Sequence, residues 1–302
     1  MATQQQYSIR REARLLRDAL APYEIPLILL KGAAYVAGQL PAAQGRLFAD
    51  IDILVPHERL DTAESALMLT GWQSSVTDAY DQRYYRRWMH ELPAMRHILR
   101  GTTLDVHHTI LPPTARLKPD ARLLIEASVE IPDLPGVRTL ALEDLILHSA
   151  SHLFHEGEPD NLLRDLTDLD LLLKHLGRDD AAWDALLARA ERLQLSGPLS
   201  LALRYTERLL DTPIPARIRH RAGNDSAGNA GQRLLDLLYS RMLRPQHPST
   251  ADRFTSAARK ALYIRAHWLR MPPLLLAYHL AHKALFPPKP EELPPMDEKK
   301  AA

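Results

Sequence analysis

The chain has 302 residues, of which 46% are hydrophobic and 25% charged, and a formal net charge of +1. Such values describe a folded protein of two domains or one large one, not a disordered or strongly nucleic-acid-like chain. Cysteine is absent, which excludes disulfides, cysteine-ligated zinc and thiol nucleophiles and sets the expectation of a cytoplasmic protein. No apolar stretch reaches the roughly 18 residues of a membrane span, and the first twenty residues lack a signal-type apolar run.

In chain order, the spacing over 8–21 predicts an amphipathic helix. Residues 25–30 are short, β-branched and apolar, and predict a buried strand. Lys31 to Leu40 is alanine-rich and reads as a turn and the start of a helix, with a loop at 41–45. Residues 49–55 predict a second strand. Pro56 opens a helix through Leu69, which Gly71 ends. Two more strands are expected at 94–100 and 102–108, joined in a hairpin at Gly101, and a short one at 128–132. Residues 72–90 hold three tyrosines and two tryptophans in no clear period.

From Ala141 the leucines recur at helical spacing over 142–155, 161–176, 181–194, 198–210, 232–243 and 252–270. The expected fold is α+β: a small mixed sheet with helices over 1–138, a helical domain over 139–286, and a proline-rich, disordered tail at 287–302. Between Arg217 and Arg270 there are eleven Arg/Lys and three Asp/Glu, a balance of +8, so the remainder carries −7. Solvated arginine faces or an acidic partner would account for that asymmetry. The segment 259–286 is basic, aromatic and leucine-rich; it packs on the domain, lies on an acidic membrane surface or holds RNA. Pro272 and Pro273 split it into two helices.

The chemistry concentrates at Asp50 and Asp52. In a strand they share one face while Ile51 and Ile53 share the other. Their α-carbons are then about 6.6 Å apart. Two like charges raise each other's pKa, and a divalent cation removes the conflict. Oxygen-only ligands favour Mg²⁺ or Mn²⁺. Asp105 completes a three-carboxylate cluster if its strand lies beside that of Asp50 and Asp52. Such a cluster can hold two ions about 4 Å apart for in-line phosphoryl transfer. The plain alternative has Asp50 at a strand edge and Asp52 facing solvent.

Upstream, Gly32 sits at a strand-to-helix turn of the kind that lets backbone N–H groups approach a phosphate, with Lys31 beside it. Arg46 could clamp a phosphate in forked geometry. His107 shares the face of Asp105, and His108 faces away. His148, His152 and His155 form one helical stripe, open to three readings: cleft contact with nucleotide or acceptor, structural histidines, or a zinc site. Arg164 pairs with Asp168, or Asp165 orients a cleft histidine.

Four motifs in order carry a resemblance. Leu29-Leu30-Lys31-Gly32-Ala33-Ala34 comes first, then Arg46 with Asp50-Ile51-Asp52-Ile53-Leu54-Val55. Leu104-Asp105-Val106-His107-His108 follows, then the histidines at 148–155 ahead of Asn161-Leu162-Leu163-Arg164-Asp165-Leu166. Over residues 25–176 the chain resembles the DNA polymerase β-type nucleotidyltransferase superfamily, and within it the bacterial group of uncharacterised nucleotidyltransferases. The resemblance implies Mg²⁺-dependent transfer of a nucleoside monophosphate from an NTP to an unidentified acceptor hydroxyl on a small molecule, protein or RNA. It implies Asp50 and Asp52 on two metals, with Asp105 joining the catalytic metal and helping to deprotonate the acceptor. Lys31, Gly32, Ala33, Arg46, His107, His148 and His152 would contact the nucleotide or acceptor. Gly32-Ala33 replaces the usual Gly-Ser or Gly-Gly, and the gap to Asp50 is longer than usual. Two alternatives follow: a nucleotide-binding relative without transfer activity, or a toxin-like tRNA nucleotidyltransferase.

Overall fold

A computed structural model describes residues 2–45, 50–155, 161–224, 230–245 and 247–285 of the chain. Arg46 and the expected tail at 287–302 lie outside the described residues.

The first part alternates strands and helices: α1 (Ala2–Leu20), β1 (Leu27–Leu29), α2 (Lys31–Ala37), β2 (Asp50–Leu54), α3 (Leu60–Leu69), β3 (Trp72–Ser74), α4 (Ala79–Trp88), β4 (Met95–His97), β5 (Thr103–His107), α5 (Ala121–Glu126), β6 (Val129–Glu130) and β7 (Val137–Thr139). Helices follow: α6 (Leu142–His155), α7 (Leu162–Leu176), α8 (Asp180–Arg192), α9 (Ser196–Leu210), α10 (Ala216–Arg221), α11 (Ala230–Met242), α12 (Thr255–Arg270) and α13 (Pro273–Leu285). The expected α+β class is the observed one.

The strands form one seven-stranded mixed sheet in the order β3-β4-β5-β2-β1-β7-β6. β2 is central, antiparallel to β1 and parallel to β5. Its alternation splits it into two faces. Ile51 and Ile53 are 3% and 0% exposed and lie in register with Leu104 and Val106, both 0% exposed. Burying four such side chains on one face, at about 1.5–3 kcal/mol each, fixes the register, because a one-residue slip would turn them all to the other side. Gly101, at φ +69°, turns β4 into antiparallel β5, as the hairpin expectation required.

α1 buries Ile9, Ala13, Leu16 and Leu20, one face of a 3.6-residue period, against α2, α3 and β1. α6 is buried on nearly all sides and packs against α2, α7, α8, α9 and α12. The buried Tyr35 hydroxyl of α2 shares a 2.5 Å hydrogen bond with Ser149 of α6, fastening the strand–helix unit to the helical one. The boundary expected after residue 138 falls inside β7, and one apolar cluster runs from Ile9 through β1, β2 and β5 to Leu203 and Leu262.

Five elements are not expected from the sequence: β3, α4, β7, and the short helices α5 and α10. β3 and β7 are strands of three residues each. α4 is a helix in the tyrosine- and arginine-rich segment whose period the sequence does not make plain, and none of its residues is fully buried. It is set instead by Asp78, whose side chain accepts the Asp81 backbone N–H at 2.9 Å as an N-cap. α12 ends at Arg270 and α13 begins at Pro273, the break the paired prolines predict. α12 buries Ala258, Leu262 and Ala266, and Arg265 donates to the Phe154 carbonyl of α6, so this half of the segment packs on the domain. In the basic region, Arg217 pairs with Asp180 and Asp184, Arg219 with Glu207, and Arg241 with Asp252, so part of its charge is answered within the fold. No helix among the described residues is long and apolar enough to cross a membrane.

Candidate active site at the acidic face of the sheet

The parallel register of β2 and β5 pairs Asp52 with Asp105, on strands about 4.8 Å apart, with Asp50 two residues before Asp52. Three carboxylates therefore share the face opposite the apolar one. They are not electrostatically alike. Burial would raise the Asp52 carboxyl, but Lys31 Nζ at 3.2 Å and His107 Nε2 at 3.0 Å hold it far below the usual range. Asp105 is pushed up to about 7 by burial, then by the charges of Glu91 and Asp52. Asp50, exposed at the start of β2, is raised by desolvation of its carboxyl and by Asp52, with Lys31 and Arg164 acting the other way.

Lys31 owes its position to an uncommon backbone. It has φ +43°, a left-handed value that costs a non-glycine residue about 1–2 kcal/mol. Its Nζ lies 3.2 Å from Asp52 Oδ1. Gly32, where the freedom of a glycine was expected to be used, is not among the positive-φ residues. It lies buried inside α2 with Ala33, which is 0% exposed in the apolar core. Any contact they make with a ligand is through their backbone.

His107 is wholly buried, and Asp52 and Glu91 raise its pKa against the effect of burial. His148 is 2% exposed; burial and the charges of Lys31, His107 and His152 push its pKa well down, so it is neutral beside this group. His152 Nδ1 lies 3.7 Å from Asp165, the orienting contact considered from the sequence. Arg164 bonds Asp165 rather than Asp168, and its charge bears on Asp50. Groups on α6 and α7 thus bear on Asp52 and Asp50.

The sequence reading missed Glu91, His90 and Tyr85. Glu91 Oε2 is 3.3 Å from His107 Nε2. Tyr85 has its pKa raised by burial, then by Glu91, Tyr84 and Asp105. None of the three carries a spacing signal: Tyr85 lies in α4, His90 in the bend after it, and Glu91 in an isolated bridge to His107.

Residues 1–211 match the sequence profile described as uncharacterised nucleotidyltransferase. The chain belongs to that family of nucleotidyltransferases. No curated protein matches it in sequence. Among solved structures, the antibiotic-resistance factor ANT(2'')-Ia is similar at 18% identity and a TM-score of 0.40, over 70% of this chain and 97% of that one.

On the far side of β5, His108 packs edge-on against His57 at 4.7 Å and donates from Nε2 to the Met89 carbonyl at 3.1 Å. Burial, then the charge of His57, pushes its pKa down to about 4. A depressed histidine contributes stability that is present above its unfolded value of about 6.5 and lost as pH falls towards 4. Between pH 7 and pH 5 this group alone should remove about 2 kcal/mol. Urea unfolding at the two pH values should show that extra loss in the parent chain and not in His108→Gln.

Proposed function

We propose that the chain transfers a nucleoside monophosphate from an NTP to an acceptor hydroxyl at the acidic face of β2 and β5. Its main support is the register that sets Asp50, Asp52 and Asp105 on one face, with Asp50 and Asp105 both raised by burial and then by neighbouring negative charge. Crowded carboxylates of that kind are the donor set a hard divalent cation takes. Asp50, Asp52 and Asp105 would hold Mg²⁺ or Mn²⁺, which when bound supplies charge neutralisation for the triphosphate and the departing pyrophosphate.

The chain's own groups do the rest. Asp105, in register with Asp52, would accept the acceptor hydroxyl's proton. The acceptor oxygen then bonds the α-phosphorus as the bond to pyrophosphate breaks. Lys31 and Arg164 bring positive charge towards Asp52 and Asp50, where phosphate oxygens would lie. Neutral His148 and the Asp165-contacted His152 line the approach from α6. Catalysis on such a face is mostly positioning and charge compensation.

One observation favours a second reading, nucleotide binding without transfer: Asp52 already has Lys31 and His107 against it. Two measurements separate the readings. Calorimetry with each NTP and Mg²⁺ should show binding; none at all overturns both. Each α-labelled NTP, incubated with the chain and candidate acceptors, should then give Mg²⁺-dependent label transfer that Asp52→Ala abolishes. Binding without transfer selects the second reading, and transfer that survives Asp52→Ala removes Asp52 from the site.

A further inference from the structure

Immediately beside Asp52 lies a group of different chemistry. His90, Glu91 and His107 each offer one ligand atom, and these atoms all lie within 4.8 Å of one another. His90 and His107 are 5% and 0% exposed, and Glu91 is partly exposed. The group is held by backbone as well as by side chains. Glu91 forms a bridge to His107, Leu92 N–H donates to the Val106 carbonyl at 2.9 Å, and His108 N–H donates to the His90 carbonyl at 2.9 Å. The bend at Met89 and His90 lets two consecutive residues reach the same place, which an extended strand forbids.

One separation matches a small metal ion and another is somewhat wider. A tetrahedral site with bonds of about 2.0–2.1 Å places its ligand atoms about 3.3 Å apart. Glu91 Oε2 is 3.3 Å from His107 Nε2 and 3.9 Å from His90 Nε2, and Asp52 Oδ1 is 3.0 Å from His107 Nε2. Without an ion, one imidazole N–H of His107 must answer two carboxylates at once. A divalent ion in the place of that proton would bind His90, Glu91 and His107 with Asp52 beside it, and would carry twice the charge.

We propose that His90, Glu91 and His107, with Asp52 as a neighbouring fourth ligand, form a site for a borderline-soft divalent metal of the zinc type. Two imidazoles and a carboxylate select such a metal over Mg²⁺, whereas Asp50 and Asp105 offer oxygen alone. The site is separate in donor chemistry from the three-aspartate cluster and shares only Asp52 with it. It stands whether or not the chain transfers nucleotide.

The test uses the tag-free, chelator-stripped full chain titrated with Co²⁺ in excess Mg²⁺. One equivalent should bind with a visible ligand-field band that Zn²⁺ displaces and Mg²⁺ does not. His90→Gln and Glu91→Gln should each weaken Co²⁺ binding at least tenfold, while Asp50→Asn leaves it unchanged. Absence of binding in excess Mg²⁺ overturns the site, as does a band that Asp50→Asn removes and His90→Gln keeps. Because the two ligand variants are partly buried, zinc-edge X-ray absorption on the unmodified chain gives an independent answer. Imidazole scattering supports the site, and an oxygen-only shell overturns it. Nucleotide transfer enters neither measurement, so this site and the transfer reaction fail or succeed separately.

Discussion

Asp105→Asn is expected to slow nucleotidyl transfer by about 10²–10⁴-fold, the range for loss of a positioned base, while making the metal-free fold more stable at pH 8. The two effects come from the same charge. Asp105 has a folded pKa of about 7, above its ordinary 3.8, because burial, Glu91 and Asp52 disfavour its ionised form. A raised carboxyl contributes stability that is present below about pH 4 and lost as pH rises through about 7. Asparagine never ionises, so the variant escapes a penalty on the order of a few kcal/mol at pH 8. Asp52→Asn should act in the opposite direction on stability. Its carboxylate is already answered by Lys31 and His107, and removing it leaves both facing a neutral amide in a site where Asp52 is only 5% exposed. Thermal unfolding of the chelator-treated variants at pH 8 reads the difference: Asp105→Asn above the parent, Asp52→Asn below it. If both fall below the parent, Asp105 is not a crowded charge, and the case for a cation-binding cluster there loses its physical ground. Saturating Mg²⁺ should narrow the gap between Asp105→Asn and the parent, because a cation would stabilise the ionised parent and not the amide.

How much of this is legible in the chain depends on which force sets each piece. β2 and β5 are legible because their alternation is strict: Ile51 and Ile53 against Asp50 and Asp52, Leu104 and Val106 against Asp105 and His107. Their adjacency is a different matter. Nothing local in either strand says that they pair in parallel, and the Asp52–Asp105 register follows from packing four apolar side chains on the far face. Lys31 is misread locally. A Lys-Gly turn points to glycine as the left-handed residue, yet the ion pair with Asp52 accompanies positive φ at the lysine. α4 carries no leucine stripe and no fully buried residue, while α6 and α7 announce themselves by leucines at 3.6-residue spacing. Glu91 and His90 reach the site through a bend and a backbone bridge, neither of which has a residue pattern.

Arg189→Ala should be the most damaging single change for the fold outside the site. Asp144, in the first turn of α6, is 0% exposed, and its two oxygens receive Arg189 Nε and Nη2 at 2.7 Å each. Arg189 Nη2 also donates to the Leu123 carbonyl at 2.7 Å, so one guanidinium ties α8 to α6 and α5. Breaking a buried pair from one side strands the other charge and costs about 3–5 kcal/mol. For a chain of this size that is roughly 6–10 °C in Tm, at about 2 °C per kcal/mol. The pH dependence identifies the cause. Burial already raises the Asp144 carboxyl, with Arg189 working against it. Without the guanidinium the folded pKa rises further, and the stability tied to the neutral acid is lost as pH climbs through that value. The deficit of Arg189→Ala relative to the parent should therefore be smaller at pH 5 than at pH 8. Adding Asp144→Leu should recover much of the loss, because no charge is then left buried without a partner. A deficit that is equal at both pH values, and that Asp144→Leu deepens, would mean that Arg189 acts through its packing and its bond to Leu123 and not through the buried carboxylate.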